Sequence, residues 1–294
     1  MRAERRSFAQ AIIGTTFWGL SGTAAQALFQ NYGFPVEGLV TIRMLLAGSL
    51  LILILRPTLP RKSPVQFVAL SVFGIAGSQV TYLAAIQASN AATATILQFL
   101  FLPIVVAYEA ATRVLHLSRL WLAMLALVAV GTLFLVGGVT PEGFGLLVSP
   151  LGVLWGLLSA CTAAYYTLAS KAFVRTIGSW PVTAWGFMAG GLASLPFGAA
   201  SLAGYRLPSG SAALTSVIFL AGVVVVLGTL LAYGLYLSAL RQLRASEVGI
   251  VASGEPIAAS AASLVFLGVV LAPSQYVGGA LVVVAIALLG TKGG

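Results

Sequence analysis

The chain has 294 residues and a net charge of +9; 60% of its residues are hydrophobic and only 7% are charged. Soluble domains carry about 25% charged residues, so this composition excludes a soluble fold of this size and favours a protein whose outer surface faces lipid. The sequence contains no Asp, one His and one Cys. These counts exclude a Ser-His-Asp triad, a paired-Asp site and an internal disulfide. Nothing resembles a metal-ligand cluster, so we expect no enzyme activity, no metal and no cofactor.

A transmembrane helix needs about 20 mostly apolar residues. Ten such segments follow one another along the chain, at 8–28, 37–55, 65–87, 91–112, 119–137, 150–172, 181–200, 212–239, 247–269 and 274–291. Proline and glycine mark several breaks between them, including Pro57, Pro64 and Pro141. We therefore predict an all-α integral membrane protein with ten transmembrane helices.

The basic residues support this count and set an orientation. If the N-terminus is cytoplasmic, only Arg206 falls on the outer side, and Arg43 lies within the second segment. The remaining 13 of the 15 basic residues lie on the cytoplasmic side, as the positive-inside rule predicts. Both termini are therefore expected in the cytoplasm, and the net positive charge needs no nucleic acid to explain it.

The N-terminus also resembles a cleavable signal peptide. Arg2, Arg5 and Arg6 precede an apolar run that ends near Ala25-Gln26-Ala27. We expect this segment to be retained as the first transmembrane helix, because it is long enough to span the membrane and its loss would break the internal repeat described next.

The two halves of the chain share short motifs in the same order. Trp18-Gly19-Leu20 matches Trp155-Gly156-Leu157, and Tyr82-Leu83-Ala84-Ala85 matches Tyr236-Leu237-Ser238-Ala239. Pro35-Val36 before the second segment also matches Pro181-Val182 before the seventh. We predict a first five-helix repeat at 1–140 and a second at 141–294. Five helices per half give the halves opposite orientations, an arrangement typical of secondary transporters with a substrate site between the halves.

Glu255 is the first candidate among charged residues inside the membrane, where such residues usually face a cavity or a partner. It immediately precedes Pro256, which removes a backbone donor and can loosen the ninth helix. A carboxyl group there is suited to binding an ion, a proton or a substrate ammonium, although pairing with another helix is an equal alternative.

We do not expect Arg43, Glu109 or His116 to bind substrate. Arg43 could pair with Glu37, but we expect its side chain to reach the outer surface. Glu109 and Arg113 have the spacing of a helical ion pair. His116 is expected to be solvated in a basic loop between the fourth and fifth segments.

Polar and aromatic residues share faces on several predicted helices. Trp155, Ser159, Thr162 and Tyr166 follow i, i+4, i+7, i+11 spacing. Because polar faces turn inward in lipid, we predict that these helices surround one cavity, although Ser and Thr can also simply join helices. The predicted substrate-binding residues are Trp18, Ser21, Gln79, Tyr82, Thr95, Gln98, Trp155, Ser159, Thr162, Tyr166, Thr229, Tyr233, Tyr236 and Glu255.

The chain resembles the drug/metabolite transporter superfamily, specifically the ten-helix EamA-type exporters. The resemblance rests on Trp18-Gly19-Leu20-Ser21, Glu255-Pro256 and Gly278-Gly279-Ala280-Leu281, together with the duplicated layout. The branch it looks most similar to contains bacterial aromatic amino acid exporters. The resemblance implies outward movement of small amphiphilic metabolites, most of all amino acids, across the bacterial inner membrane by alternating access.

Other functions stay open at this point. A carrier for sugars or nucleotide-sugars would need basic residues deep in the cavity, and only Arg43 is available; a drug carrier is a further alternative. A membrane channel or a lipid-modifying membrane enzyme would belong to different classes. We expect membrane lipid and a small-molecule substrate as partners, no nucleic acid, and a monomer.

Overall fold

The structure is a computed structural model that describes residues 2–61, 63–114, 118–140, 143–245, 247, 248, 252 and 254–291. His116 and the Pro141 break, together with the basic residues Lys62 and Lys292, lie outside the described residues. The sequence-based expectations for these four positions stay predictions.

Helices dominate the described part of the chain, and each predicted apolar segment overlaps one of them. Their bounds are α1 Arg2–Tyr32, α2 Val36–Leu55, α3 Pro64–Ala88, α4 Ala91–Ala111, α5 Arg119–Val136, α6 Pro150–Ile177, α7 Ser179–Ala203, α8 Ser211–Ala239, α9 Gly254–Leu267 and α10 Pro273–Thr291.

Six of the described helices are long and apolar enough to cross a membrane, namely α2, α3, α4, α6, α7 and α8. Shorter apolar stretches lie in α5, α9 and α10, at Trp121–Val136, Gly254–Leu267 and Pro273–Ala285. Six spans make the chain a multi-pass membrane protein. The count of ten spans and the cytoplasmic placement of both termini stay predictions.

A short β-hairpin joins α5 to α6, which the all-α prediction did not include. Strands β1 Gly137–Thr140 and β2 Gly143–Leu146 pair antiparallel, with Gly137 opposite Leu146.

Three long helices are locally irregular. In α4, regular structure is interrupted between Gln98 and Phe101. Pro103 explains this break, because its ring nitrogen cannot donate to the carbonyl group of Phe99. Both α3 and α8 contain a π-helical segment, at Leu70–Ala76 and Val226–Leu231. Such segments insert an extra residue into a turn and are frequent at functional sites.

The helices pack in a regular set of pairs. The main contacts join α2 to α7, α5 to α10, α3 to α6, α1 to α8, α1 to α9 and α4 to α6. Glycines permit the closest approaches: a Cβ atom on Gly48 of α2 would lie 2.8 Å from the backbone nitrogen of Met188 in α7. Small residues at helix contacts are typical of membrane bundles.

Candidate functional site

A cavity, here called the central cavity, lies between α1, α2, α3, α4, α6 and α8 and the start of α9. Nine of the fourteen predicted substrate-binding residues line it: Trp18, Ser21, Gln79, Tyr82, Gln98, Tyr166, Tyr233, Tyr236 and Glu255. The other lining residues are Gly22, Arg43, Ser78, Leu83, Phe99, Phe101, Ala163, Thr167 and Ala252. The cavity therefore draws on both predicted halves of the chain.

The central cavity is narrow. Its volume is about 50 Å³, which is enough for a few water molecules at about 10–15 Å³ each. A solute the size of an amino acid enters only if side chains or helices move.

Five rings form an aromatic cluster along one side of the cavity, comprising Trp18, Tyr166, Phe187, Tyr233 and Tyr236. The Trp18 ring lies 4.8 Å from the Tyr236 ring and 4.9 Å from the Tyr233 ring, measured between centroids. Tyr166 lies 5.5 Å from Tyr233, and Phe187 contacts Tyr233 at 4.9 Å. Edge-on and tilted packing of this kind is favourable between aromatic rings, and it brings α1, α6, α7 and α8 together.

Side-chain hydrogen bonds hold several of the cavity-lining residues in place. The Tyr82 and Thr95 hydroxyls share a hydrogen bond of 2.7 Å, and those of Tyr236 and Thr167 share one of 3.2 Å. Gln98 donates from Nε2 to the Ser159 hydroxyl at 2.7 Å. These bonds hold two of the phenols and one amide in fixed directions at the cavity.

Three buried polar atoms on the wall have no hydrogen-bond partner among the described residues: Trp18 Nε1, Gln79 Oε1 and the Tyr166 hydroxyl. A buried polar group left without a partner costs about 1–3 kcal/mol. Native proteins usually satisfy such groups with water or a ligand. One donor, one acceptor and one hydroxyl that can do either are therefore available in this cavity to water or to a polar ligand.

Arg43 corrects the expectation of a side chain that reaches the outer surface. Only 3% of it is exposed, and it lines the central cavity. Its Nε donates to the Thr229 hydroxyl at 2.9 Å, and Nη2 donates to the Gly228 carbonyl at 3.4 Å. Both acceptors belong to the π-helical segment of α8. The sequence did carry a signal for this, since Arg43 lies inside an apolar segment and charged residues within a membrane usually face a cavity or a partner.

Glu255 is buried at the start of α9 and lines the central cavity. Its backbone N–H donates to the Ala252 carbonyl at 2.8 Å. Pro256 lies in the first turn of α9, where a missing N–H is tolerated. Pro256 therefore does not interrupt Gly254–Leu267, and the loosening of the ninth helix stays a prediction.

Five predicted site residues do not border the cavity. Thr95, Ser159 and Thr229 stand behind the wall and hold Tyr82, Gln98 and Arg43. Thr162 instead shares a hydrogen bond with Thr81, and Trp155 is partly exposed. Trp155 shares a face of α6 with Tyr166 but lies eleven residues away, or about 16 Å at 1.5 Å per residue. This distance places Trp155 beyond the residues that line the cavity.

The predicted Glu109–Arg113 pair does not form. Helix α4 ends at Ala111, and Arg113 adopts a left-handed backbone with φ of 60°. The i, i+4 geometry is lost there, and Glu109 Oε2 is buried without a hydrogen-bond partner among the described residues. Helical pair spacing applies only while the helix continues.

A larger groove of about 460 Å³ lies between α9 and α10. Its lining is mostly apolar, including Ile257, Leu264 and Val284, and these three side chains are exposed at the bundle surface. Because binding sites combine apolar walls with convergent polar groups, the central cavity is the better candidate site.

A multi-pass helical bundle that surrounds a polar and aromatic cavity has the architecture of a membrane transporter. Residues 150–291 match the family model of the EamA-like transporter family. A Salmonella typhimurium (strain LT2) protein called "Uncharacterized inner membrane transporter YicL" is 31% identical over 297 residues, covering 98% of this chain and 96% of that protein. The chain belongs to the EamA-like transporter family, which agrees with the expectation of a transporter rather than an enzyme.

A solved structure has the same fold over the whole chain. A crystal structure of a protein 18% identical in sequence superposes with a TM-score of 0.67, covering 99% of both chains. At this identity the likeness concerns the fold alone.

Proposed function

We propose that this protein is a secondary carrier that exports small amphiphilic metabolites, namely amino acids including aromatic ones, across the bacterial inner membrane by alternating access. The observation that carries the proposal is the central cavity, which combines an aromatic cluster with unpartnered polar atoms and the carboxyl group of Glu255. Aromatic rings stack on an apolar substrate side chain and attract its ammonium group.

The membrane topology in this proposal has ten spans with both termini in the cytoplasm. The distribution of basic residues supports it, since 13 of 15 fall on one side. An inner-membrane location is supported by the printed name of the Salmonella typhimurium relative.

The inverted repeat is supported by the helix contacts. In such a repeat, each of the helices α1 to α5 corresponds to the helix five places later. The counterpart of the α3–α6 contact is then α8–α1, and the counterpart of the α4–α6 contact is α9–α1. All four contacts are present. The contacts α2–α7 and α5–α10 convert into themselves. The π-helical segments also correspond: they begin at Leu70 and Val226, close to the 154-residue offset that separates Tyr82 from Tyr236.

The size of the cavity and the irregular helices support alternating access. The cavity is narrow for an amino acid, so its wall must move for a substrate to enter, and in the proposed cycle it opens toward each side in turn. The π-helical segments of α3 and α8 and the break at Gln98–Phe101 are the places where helices bend most easily. The break in α4 borders the cavity, and the two π-helical segments end two residues before the lining residues Ser78 and Tyr233, so bending at these places would move the cavity wall.

Counterflow tests the carrier mechanism against a channel. Proteoliposomes loaded with unlabelled phenylalanine are placed in dilute radiolabelled phenylalanine. A carrier produces transient accumulation of label above the external concentration, because exchange is faster than net efflux. Equilibration without an overshoot, at a rate that does not saturate, would indicate a channel and contradict the proposed mechanism.

Carriers for sugars, nucleotide-sugars or drugs are alternatives with the same predicted fold, but their substrates require different cavity-lining residues. Phosphate groups call for several basic residues, whereas Arg43 is the one basic side chain among the described cavity-lining residues. The same proteoliposomes, tested with unlabelled sugars and drugs as competitors, separate these alternatives.

A further inference from the structure

The guanidinium group of Arg43 is only partly used by the protein. Arginine carries five N–H donors, and the structure gives it two hydrogen bonds, to the Thr229 hydroxyl and the Gly228 carbonyl. Both bonds come from the same side, the π-helical segment of α8. The other donors remain on a side chain that lines the central cavity.

Arg43 also lacks a counter-charge. Among the described residues, no carboxylate lies within ion-pair distance of it, and the side chains of Tyr82 and Tyr233 line the same cavity. Burying a cation without a paired anion is costly, and a charge inside a membrane usually marks a functional site. An anion from outside the protein would remove this cost.

Glu255 also lines the central cavity. It stands at the start of α9, whereas Arg43 belongs to α2, and among the described residues no ion pair joins the two. The cavity therefore carries a basic and an acidic side chain that do not neutralise each other. A solute with a carboxylate at one end and an ammonium at the other matches this arrangement.

We propose that Arg43 is a substrate-binding residue that selects solutes bearing a carboxylate, which its free N–H donors hold in the central cavity while the substrate ammonium lies toward Glu255. This deepens the proposed function and rests on it. It predicts that amino acids are recognised as zwitterions, and that cationic drugs and neutral sugars are poor ligands. Aromatic or apolar side chains occupy the aromatic cluster.

A ligand series that varies one charge at a time tests this assignment. L-phenylalanine, L-phenylalaninamide, 3-phenylpropionate and phenethylamine compete against radiolabelled L-phenylalanine for binding to the purified protein. We expect wild-type protein to bind phenylalanine about 10- to 100-fold more tightly than phenylalaninamide, the range typical of a charge-assisted hydrogen bond. In Arg43→Gln this preference should disappear, mainly through weaker binding of phenylalanine.

Two further variants separate recognition from a structural role. Thr229→Val removes the hydroxyl that holds Arg43 but keeps the guanidinium, so the preference for the acid over the amide should fall without disappearing. Arg43→Lys keeps the charge without the planar fork, so an intermediate preference is expected, and it replaces Arg43→Gln if that variant fails to fold. If wild-type protein and both Arg43 variants show the same preference for the acid over the amide, the assignment is overturned.

Failure of the amino-acid proposal is distinguishable. If phenylalanine does not bind, thermal stabilisation is measured with glutamate, succinate and lactate against glucose and choline. Stabilisation of wild-type protein by the carboxylates only, lost in Arg43→Gln, retains the assignment without the aromatic substrate. No stabilisation by any carboxylate, or equal stabilisation of Arg43→Gln, would overturn it.

Discussion

Gly22 and Tyr82 illustrate how single residues shape the cavity. A Cβ atom on Gly22 would lie 2.6 Å from the Tyr82 hydroxyl oxygen, but an ordinary 3.5 Å from the ring carbon that carries it. The same hydroxyl is bonded to Thr95 at 2.7 Å. Glycine at position 22 therefore leaves room for one specific atom of the wall.

Gly22→Ala should weaken substrate binding several-fold, because the added methyl group displaces the Tyr82 hydroxyl. The double variant Gly22→Ala/Tyr82→Phe should bind as well as Tyr82→Phe alone, since the clashing oxygen is gone. Competition binding of phenylalanine to the four proteins measures this coupling. Additive losses in the double variant would show that the contact does not shape the site.

Glu255→Gln should alter transport while membrane insertion stays intact, because the variant keeps the shape of the side chain but loses its ability to carry a charge. Uptake is measured between pH 5 and pH 8 in proteoliposomes. Glu37→Gln is the matched control, since Glu37 is an exposed carboxylate in the first turn of α2. Wild-type rates for Glu255→Gln at every pH would exclude a role in coupling.

Among the described elements, α5 and α10 make the tightest glycine-mediated contact between backbones. A Cβ atom on Gly278 would collide with the Gly131 carbonyl and lie 2.6 Å from the Leu135 backbone nitrogen. Backbone atoms cannot rotate away as a side chain can. The crossing therefore depends on glycine, as at other membrane helix contacts.

Gly278→Ala should lower the melting temperature of the purified protein by several degrees, because α5 and α10 must separate to admit the methyl group. Gly222→Ala in α8 is the control, since nothing lies within 4 Å of its added Cβ atom. Alanine there should be neutral or stabilising by up to about 1 kcal/mol. Equal melting temperatures for the two variants would contradict the close crossing.

The helices were predictable because each needs a long apolar stretch, and breaks between such stretches are visible in the sequence. The π-helical segment of α8 was not predictable. Thr229 donates its hydroxyl to the Val224 carbonyl at 2.8 Å and also accepts from Arg43. This local geometry depends on a tertiary contact with α2, which no pattern within α8 records.

For the whole molecule, the proposed orientation in the membrane can be tested by finding the side on which each loop is accessible. Leu59 and Ser209 are exposed in the loops that follow α2 and α7. In a Cys161→Ala background, we expect Ser209→Cys to react with a membrane-impermeant maleimide in intact spheroplasts and Leu59→Cys to react only after lysis. The reverse pattern would invert the topology, and labelling of both from one side would refute the helix count between them.

The site was predictable in outline but not in detail. Polar faces on Tyr166, Tyr233 and Tyr236 correctly indicated a shared cavity, since polar groups in lipid turn inward. Helical spacing predicts which residues share a face but not how far along that face a cavity extends. The same spacing therefore groups Trp155 with Tyr166, although Trp155 does not line the cavity. Arg43 was misplaced because its partner, the π-helical segment of α8, is 185 residues away.

Uptake of a radiolabelled amino-acid panel into proteoliposomes of the purified protein, with unlabelled competitors, tests the central claim most directly. The proposal predicts saturable uptake that aromatic amino acids compete away and that phenethylamine does not. Absence of uptake for every amino acid, in protein that is folded and inserted, would contradict amino acids as the substrate class.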